Sequence, residues 1–142
     1  MAVVQVLVDA DNLTSARLRL LVEALGALDD LADTDVRMVV AGAQGAVDDV
    51  AWPAYAEILH ATGWQRADVV LVEAYEAHDD RQAPLVLASG DGDFALLASR
   101  HAGPVLVVSG SPSSRLRDNA TVVDPAMVGV DPLRRWLRAV LA

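Results

Sequence analysis

The chain has 142 residues, 54% of them hydrophobic, with no cysteine, no lysine and a formal net charge of −9. That length suits one domain able to bury its own core, and the missing cysteines exclude disulfides, zinc–thiolate sites and thiol nucleophiles. The acidic balance argues against a broad electrostatic grip on nucleic acid, no apolar stretch reaches the ~20 residues of a membrane span, and the first residues lack a basic leader, so a cytoplasmic protein with no membrane partner is expected.

Residues 3–8 form an apolar run read as a buried first strand, followed by Asp9, Ala10, Asp11 and Asn12. Helix-start residues 12–15 precede Leu18, Leu21, Val22 and Leu25 at helical spacing, which predicts a helix to about residue 28. Residues 36–40 read as a second strand ending in a turn at 42–45. Residues 52–61 read as a helix with Pro53 in its first turn. Residues 63–66 connect to a third helix opened by Asp68 and running to about residue 78.

Residues 85–88 read as a strand, 94–101 as a helix and 105–108 as another strand. Residues 110–117 read as a Ser/Pro/Gly/Arg loop, and Val122 and Val123 as a short edge strand. Residues 132–141 close the chain as an amphipathic helix, with Leu133, Trp136, Leu137, Val140 and Leu141 on its apolar side. Strands alternating with helices predict an α/β fold with a mainly parallel sheet of about five strands, helices on both faces and right-handed crossovers. Residues 1–142 are expected to form one such domain, the last helix (about 131–141) packing on or extending its core. The apolar excess, with Trp136 on that helix, leaves a homodimer open.

Two acidic motifs follow strands: Asp9 and Asp11 after the first, and Asp91 and Asp93, in the segment Ser89, Gly90, Asp91, Gly92, Asp93, Phe94, after a later one. In an open parallel sheet, ligands bind at that edge. Asp is a favoured helix N-cap, so Asp68 or Asp93 alone reads as a cap. Caps, however, need one residue each, and paired carboxylates repel unless a hard cation sits among them. The combination predicts a divalent-metal site and phosphate chemistry.

Three segments in order, VDADNL (8–13), RADVVLVEA (66–74) and LASGDGDFALLA (87–98), resemble the NYN group of PIN-like nuclease domains. Asp9 and Asn12 match that family's first motif, Arg66 and Asp68 the middle one, and Ser89, Asp91, Asp93 and Phe94 the last. The resemblance covers residues 3 to about 108. Relatives often carry Lys where Arg66 stands and a further Asp in the middle helix, near Glu73 here.

The resemblance implies a three-layer α/β/α, Rossmann-like PIN domain that hydrolyses RNA, single-stranded by expectation, with Mg²⁺ or Mn²⁺. Asp9, Asp68 and Asp91 would be the primary metal ligands and would supply a metal-activated water, with Asp11 and Asp93 orienting that water or a second ion. Asn12 and Ser89 would hydrogen-bond a carboxylate or a phosphate oxygen. Arg66, Arg115 and Arg117 are the candidate phosphate contacts. Arg134, Arg135 and Arg138 are expected to balance the last helix's dipole. His60, His78 and His101 are expected to be ordinary surface or helix-end residues. Trp52, Trp64 and Trp136 are expected to pack rather than stack on bases.

Two other readings remain. A haloacid-dehalogenase-type phosphatase would make Asp9 a nucleophile, but such enzymes usually need a Lys at the phosphoryl group. A receiver domain lacks its usual Lys in the same way. An inactive PIN-like domain binding RNA or protein would leave the carboxylates unused. A dinucleotide-binding Rossmann domain is disfavoured, since no G-x-G-x-x-G follows the first strand and Asp9 would repel a pyrophosphate.

Overall fold

Six parallel strands form one sheet in the order β3-β2-β1-β4-β5-β6. This computed structural model describes residues 2–30, 33–61, 66–78 and 82–141. In chain order the elements are β1 (Ala2–Asp9), α1 (Ser15–Leu25), a 3-10 turn (Gly26–Asp30), β2 (Thr34–Gly42), α2 (Gln44–Asp48), β3 (Ala56–His60) and α3 (Ala67–His78). They continue with β4 (Leu85–Ala88), a second 3-10 turn (Gly92–Phe94), α4 (Ala95–Arg100), β5 (Val105–Val108), α5 (Ser114–Arg117), β6 (Thr121–Val123), α6 (Pro125–Val128) and α7 (Asp131–Leu141).

Side-chain alternation along the central strands divides the core in two. Val4, Val6 and Val8 of β1, Val86 and Ala88 of β4, and Leu106 and Val108 of β5 meet Leu18, Leu21 and Leu25 of α1 and Leu133 and Leu137 of α7. Leu7, Leu85, Leu87, Val105 and Val107 point the other way, onto Leu71 and Tyr75 of α3, Phe94, Leu97 of α4 and Leu116 of α5. The layers are therefore helices, sheet and helices. Burial on both faces explains why β1, β4 and β5 read as nearly unbroken apolar runs.

The chain starts in the middle of the sheet, adds β2 and β3 on one side, and returns along α3 to place β4 against β1 on the other. Sheets of this order reverse direction between their first and fourth strands, and a crevice opens there beyond the strand ends.

Several expectations change. The sheet has six strands, all parallel, rather than about five. The predicted helix over 52–61 is instead a loop and a strand: β3 pairs with β2 from Met38↔Ala56 to Gly42↔His60. Pro53 accepts a turn hydrogen bond from Ala56 N at 3.0 Å rather than opening a helix. Ala56 and Ile58 touch the first core and Leu59 the second, the period of a strand. The predicted turn at 42–45 runs into α2, and the predicted loop at 110–117 contains α5, capped by Ser113 Oγ accepting from Leu116 N at 3.3 Å. The first helix ends at Leu25 and tightens into a 3-10 turn.

His101 stands at the C-terminal end of α4, one of the two positions expected, but is buried there. It bonds Tyr75 Oη through Nδ1 at 2.8 Å and the Ala83 carbonyl through Nε2. The carbonyl can only accept, so Nε2 carries a proton, and in the neutral ring Nδ1 accepts from Tyr75. Trp52 and Trp136 pack against the first core, and the Trp52 indole donates to the Val47 carbonyl at 2.8 Å. Trp64 and the His78 side chain lie outside the described residues. Among those described, no helix is long and apolar enough to cross a membrane.

Candidate metal centre

The crevice at the β1/β4 switch is a cleft of about 420 Å³, lined by Asp9, Asp11, Asn12, Arg66, Asp68 and Asp91. Ala43, Ala61 and Ala67 complete its walls and keep it open. Three separate segments supply the acids: the end of β1, the start of α3 and the turn after β4. Asp9 is thus brought to residues some 60 to 80 positions further along the chain by the strand order and the return of α3 to this edge.

Asp9 is the floor. It is 5% exposed, and its Oδ2 accepts from the Ser89 hydroxyl at 3.2 Å. Burial raises its carboxyl to about 6, and the charges of Asp11 and Asp91 push the same way against the lowering effect of the Ser89 bond. Ser89 is also buried, and its Oγ accepts from Asp91 N at 3.1 Å. One hydroxyl therefore links the floor to the acidic turn above it. Of the two partners expected for Ser89, the structure gives it the carboxylate.

The two motif loops are tied directly. Asn12 Oδ1 accepts from Gly90 N at 2.6 Å, which points the amide nitrogen elsewhere and leaves it without a bond among the described residues. A Cβ on Gly90 would lie 2.5 Å from Ser109 Oγ, so only glycine lets the loop after β5 lie against the loop after β4. Asp11 Oδ1 accepts from Ala43 N at 2.9 Å, holding that carboxylate at the β2 side of the cleft.

The rim is a trio. Oxygens of Asp68, Asp91 and Asp93 all lie within 4.8 Å of one another. Asp68 sits in the first turn of α3, and Asp91 caps the following 3-10 turn by accepting from Asp93 N at 3.0 Å. Arg66, whose carbonyl accepts the first bonds of α3, lays its guanidinium over this trio. It reaches Asp68 at 3.3 Å, Asp93 at 3.0 Å and Asp91 at 3.6 Å. The tightest group among the described residues therefore includes Asp93, expected only to orient a water or a second ion, while Asp9 stands below it in the same cleft.

The donor set fits a hard divalent cation. Every ligand atom offered is a carboxylate or amide oxygen, and oxygens at about 2.1 Å from an octahedral Mg²⁺ lie about 3 Å apart when adjacent and about 4.2 Å when opposite, so a trio within 4.8 Å can close on one ion by small side-chain shifts. Such a cation would be held by Asp68 and Asp91, with Asp93 or Asp9 completing the set.

The other two candidate phosphate contacts lie on α5. Arg115 passes beside Gly92, its Nη2 3.4 Å from where a Cβ there would stand, while Arg117 is exposed on α5; neither is among the described residues lining the cleft. On the far side of Asn12 lies a second hollow of about 250 Å³, walled by Thr14, Arg17, Ser109 and Ser111. Arg17 is fixed there by Asp124, to whose two oxygens it donates at 2.9 and 3.0 Å. The sequence reading missed Arg17. Its signal was a charge in the first turn of a helix otherwise marked by its apolar face.

No protein-family model matches this chain, and no curated protein is similar to it in sequence.

Proposed function

We infer that the protein is a ribonuclease of the NYN type, hydrolysing phosphodiesters of single-stranded RNA with Mg²⁺ or Mn²⁺ at the β1/β4 crevice. The observation that carries this reading is the convergence of Asp9, Asp68, Asp91 and Asp93 from three chain segments at the ligand-binding edge of a parallel sheet. The order of the three sequence motifs supports it independently.

When bound, the cation supplies charge neutralisation at the phosphate and a lowered pKa for a coordinated water. The chain's own residues do the positioning. Asp68 and Asp91 hold the cation at the rim. Asp9, kept in place by Ser89, brings a carboxylate to the floor, where it orients the attacking water in line with the leaving 3′-oxygen. Asn12 offers its amide nitrogen to a phosphate oxygen, while its Oδ1 stays bound to Gly90. Arg115, beside Gly92 of the acidic turn, is a candidate contact for a neighbouring phosphate. Hydrolysis leaves 5′-phosphate and 3′-hydroxyl ends. No protein nucleophile is required, and the missing Lys disfavours an aspartyl-phosphate route through Asp9.

The test is cleavage of unstructured and hairpin RNAs by wild type and Asp91→Asn with Mn²⁺ or Mg²⁺. Metal-dependent cutting of the unstructured RNA, lost in the variant, is expected. Equal activity in both proteins, or none with either metal, would end the catalytic reading. Turnover of a generic phosphate monoester, abolished by Asp9→Asn and without RNA cleavage, would transfer the site to phosphatase chemistry.

A further inference from the structure

Arg66 is held by the same oxygens that a divalent cation would need. Its Nε meets Asp68 Oδ1 and its Nη2 meets Asp68 Oδ2, both at 3.3 Å. The same Nη2 lies 3.0 Å from Asp93 Oδ2 and 3.6 Å from Asp91 Oδ2. A cation bound about 2.1 Å from these oxygens would stand against the guanidinium, charge on like charge. The two cannot share the trio.

We propose that Arg66 is the built-in counter-ion of the Asp68–Asp91–Asp93 group and exchanges with the divalent cation, leaving the carboxylates when the metal binds and turning to the substrate phosphate. The exchange rests on the metal-site reading above and adds its regulation.

Three features favour exchange over a fixed structural pairing. The Arg66 side chain is 64% exposed, so it can leave without opening the core. It stands at the head of α3 and lines the cleft, so a swing about its flexible stem keeps it within the crevice. Its guanidinium carries five donors in a planar fork, as suited to a phosphate as to carboxylates. The arrangement also relieves a physical problem: without a cation, three clustered carboxylates would repel one another, and Arg66 offsets that repulsion. The consequence is a metal site with a threshold, filled only when the cation outcompetes a tethered guanidinium.

The experiment is calorimetric titration of Mn²⁺ into wild type, Arg66→Ala and Arg66→Lys in the absence of RNA, with thermal melts at zero and saturating Mn²⁺. Arg66→Ala is expected to bind Mn²⁺ about fivefold more tightly, the equivalent of one exposed ion pair. It should melt lower than wild type without metal, and the gap should close at saturation. Arg66→Lys, which keeps the charge, should bind Mn²⁺ nearly as wild type does. Binding in Arg66→Ala no tighter than in wild type, or tightened equally in both variants, overturns the exchange and leaves the metal site standing. Absence of Mn²⁺ binding in all three proteins overturns both.

Discussion

The floor and the rim of the cleft use the same residue type under opposite conditions. Asp9, on the floor, is buried, and although the Ser89 hydroxyl and the Asp11 backbone N–H both support its charge, burial pushes it up to about 6. Asp68, Asp91 and Asp93, on the rim, share a guanidinium, and Asp93 is half exposed. The rim's three charges are partly compensated in place by one guanidinium, whereas the floor's charge is a standing cost to the fold above pH 6. A buried carboxylate whose hydrogen bonds do not offset its burial is better explained by a ligand it serves than by the stability it gives.

That contrast can be broken at several points, from the largest expected effect downward. Asp91→Asn should reduce Mn²⁺-dependent RNA cleavage by about a thousandfold, or about 4 kcal/mol of transition-state charge stabilisation, measured as kcat/KM. A loss of less than tenfold would place the rim outside the chemistry.

Asp9→Asn should also lose activity yet gain stability. A carboxyl raised in the folded state from 3.8 to about 6 stabilises the fold fully below pH 3.8 and loses that contribution as pH rises through about 6. At pH 7.5 without metal, the variant should therefore be up to about 3 kcal/mol more stable than wild type in urea unfolding. Near pH 3.5 the advantage should vanish, and saturating Mn²⁺ at pH 7.5 should erase it. A variant equally or less stable at pH 7.5 would mean the floor carries no such cost.

Mn²⁺ at about a hundred times its dissociation constant should stabilise wild type by about 2.7 kcal/mol, seen as a higher Tm, and Asp91→Asn by clearly less. Ser89→Ala should cost about 1–2 kcal/mol, because it strips a buried bond from Asp9 and leaves Asp91 N without its acceptor. Its deficit should widen between pH 4 and 7, as Asp9 ionises without support. At the small end, Arg117→Ala, on the exposed face of α5, should stay within about 0.5 kcal/mol of wild type. A large drop in RNA affinity for that variant would extend the substrate path beyond the cleft and Arg115.

How much of this could be read from the chain follows from burial. The strands at 85–88 and 105–108 were legible to the residue because both faces are buried and the apolar run has no gaps. The strand at 56–60 was not: its pattern is half-buried, its five residues carry Glu57 and His60 outward, and Pro53 ahead of it imitates a helix start. Helices α2, α5 and α6 have four or five residues, too few for a helical period to register.

Within the site, the carboxylates were legible as strand-end and helix-start residues, because those positions are set by local sequence. Their gathering at one sheet edge was expected too, but the closeness of Asp93 to Asp68 and Asp91 was not, because it depends on β4 pairing with β1 and on α3 crossing back to that edge. The partners of Ser89, Asn12 and Arg66 were hidden for the same reason. Each bonds a residue at least 25 positions away, and nothing local marks it.

The most direct test of the central claim is anomalous diffraction from crystals of the protein soaked in Mn²⁺. The account predicts a manganese peak in the β1/β4 crevice, within about 2.5 Å of carboxylate oxygens of Asp68 and Asp91, with the Arg66 guanidinium moved off the trio. A soaked crystal with no peak in the crevice, or with manganese only elsewhere on the surface, would contradict it.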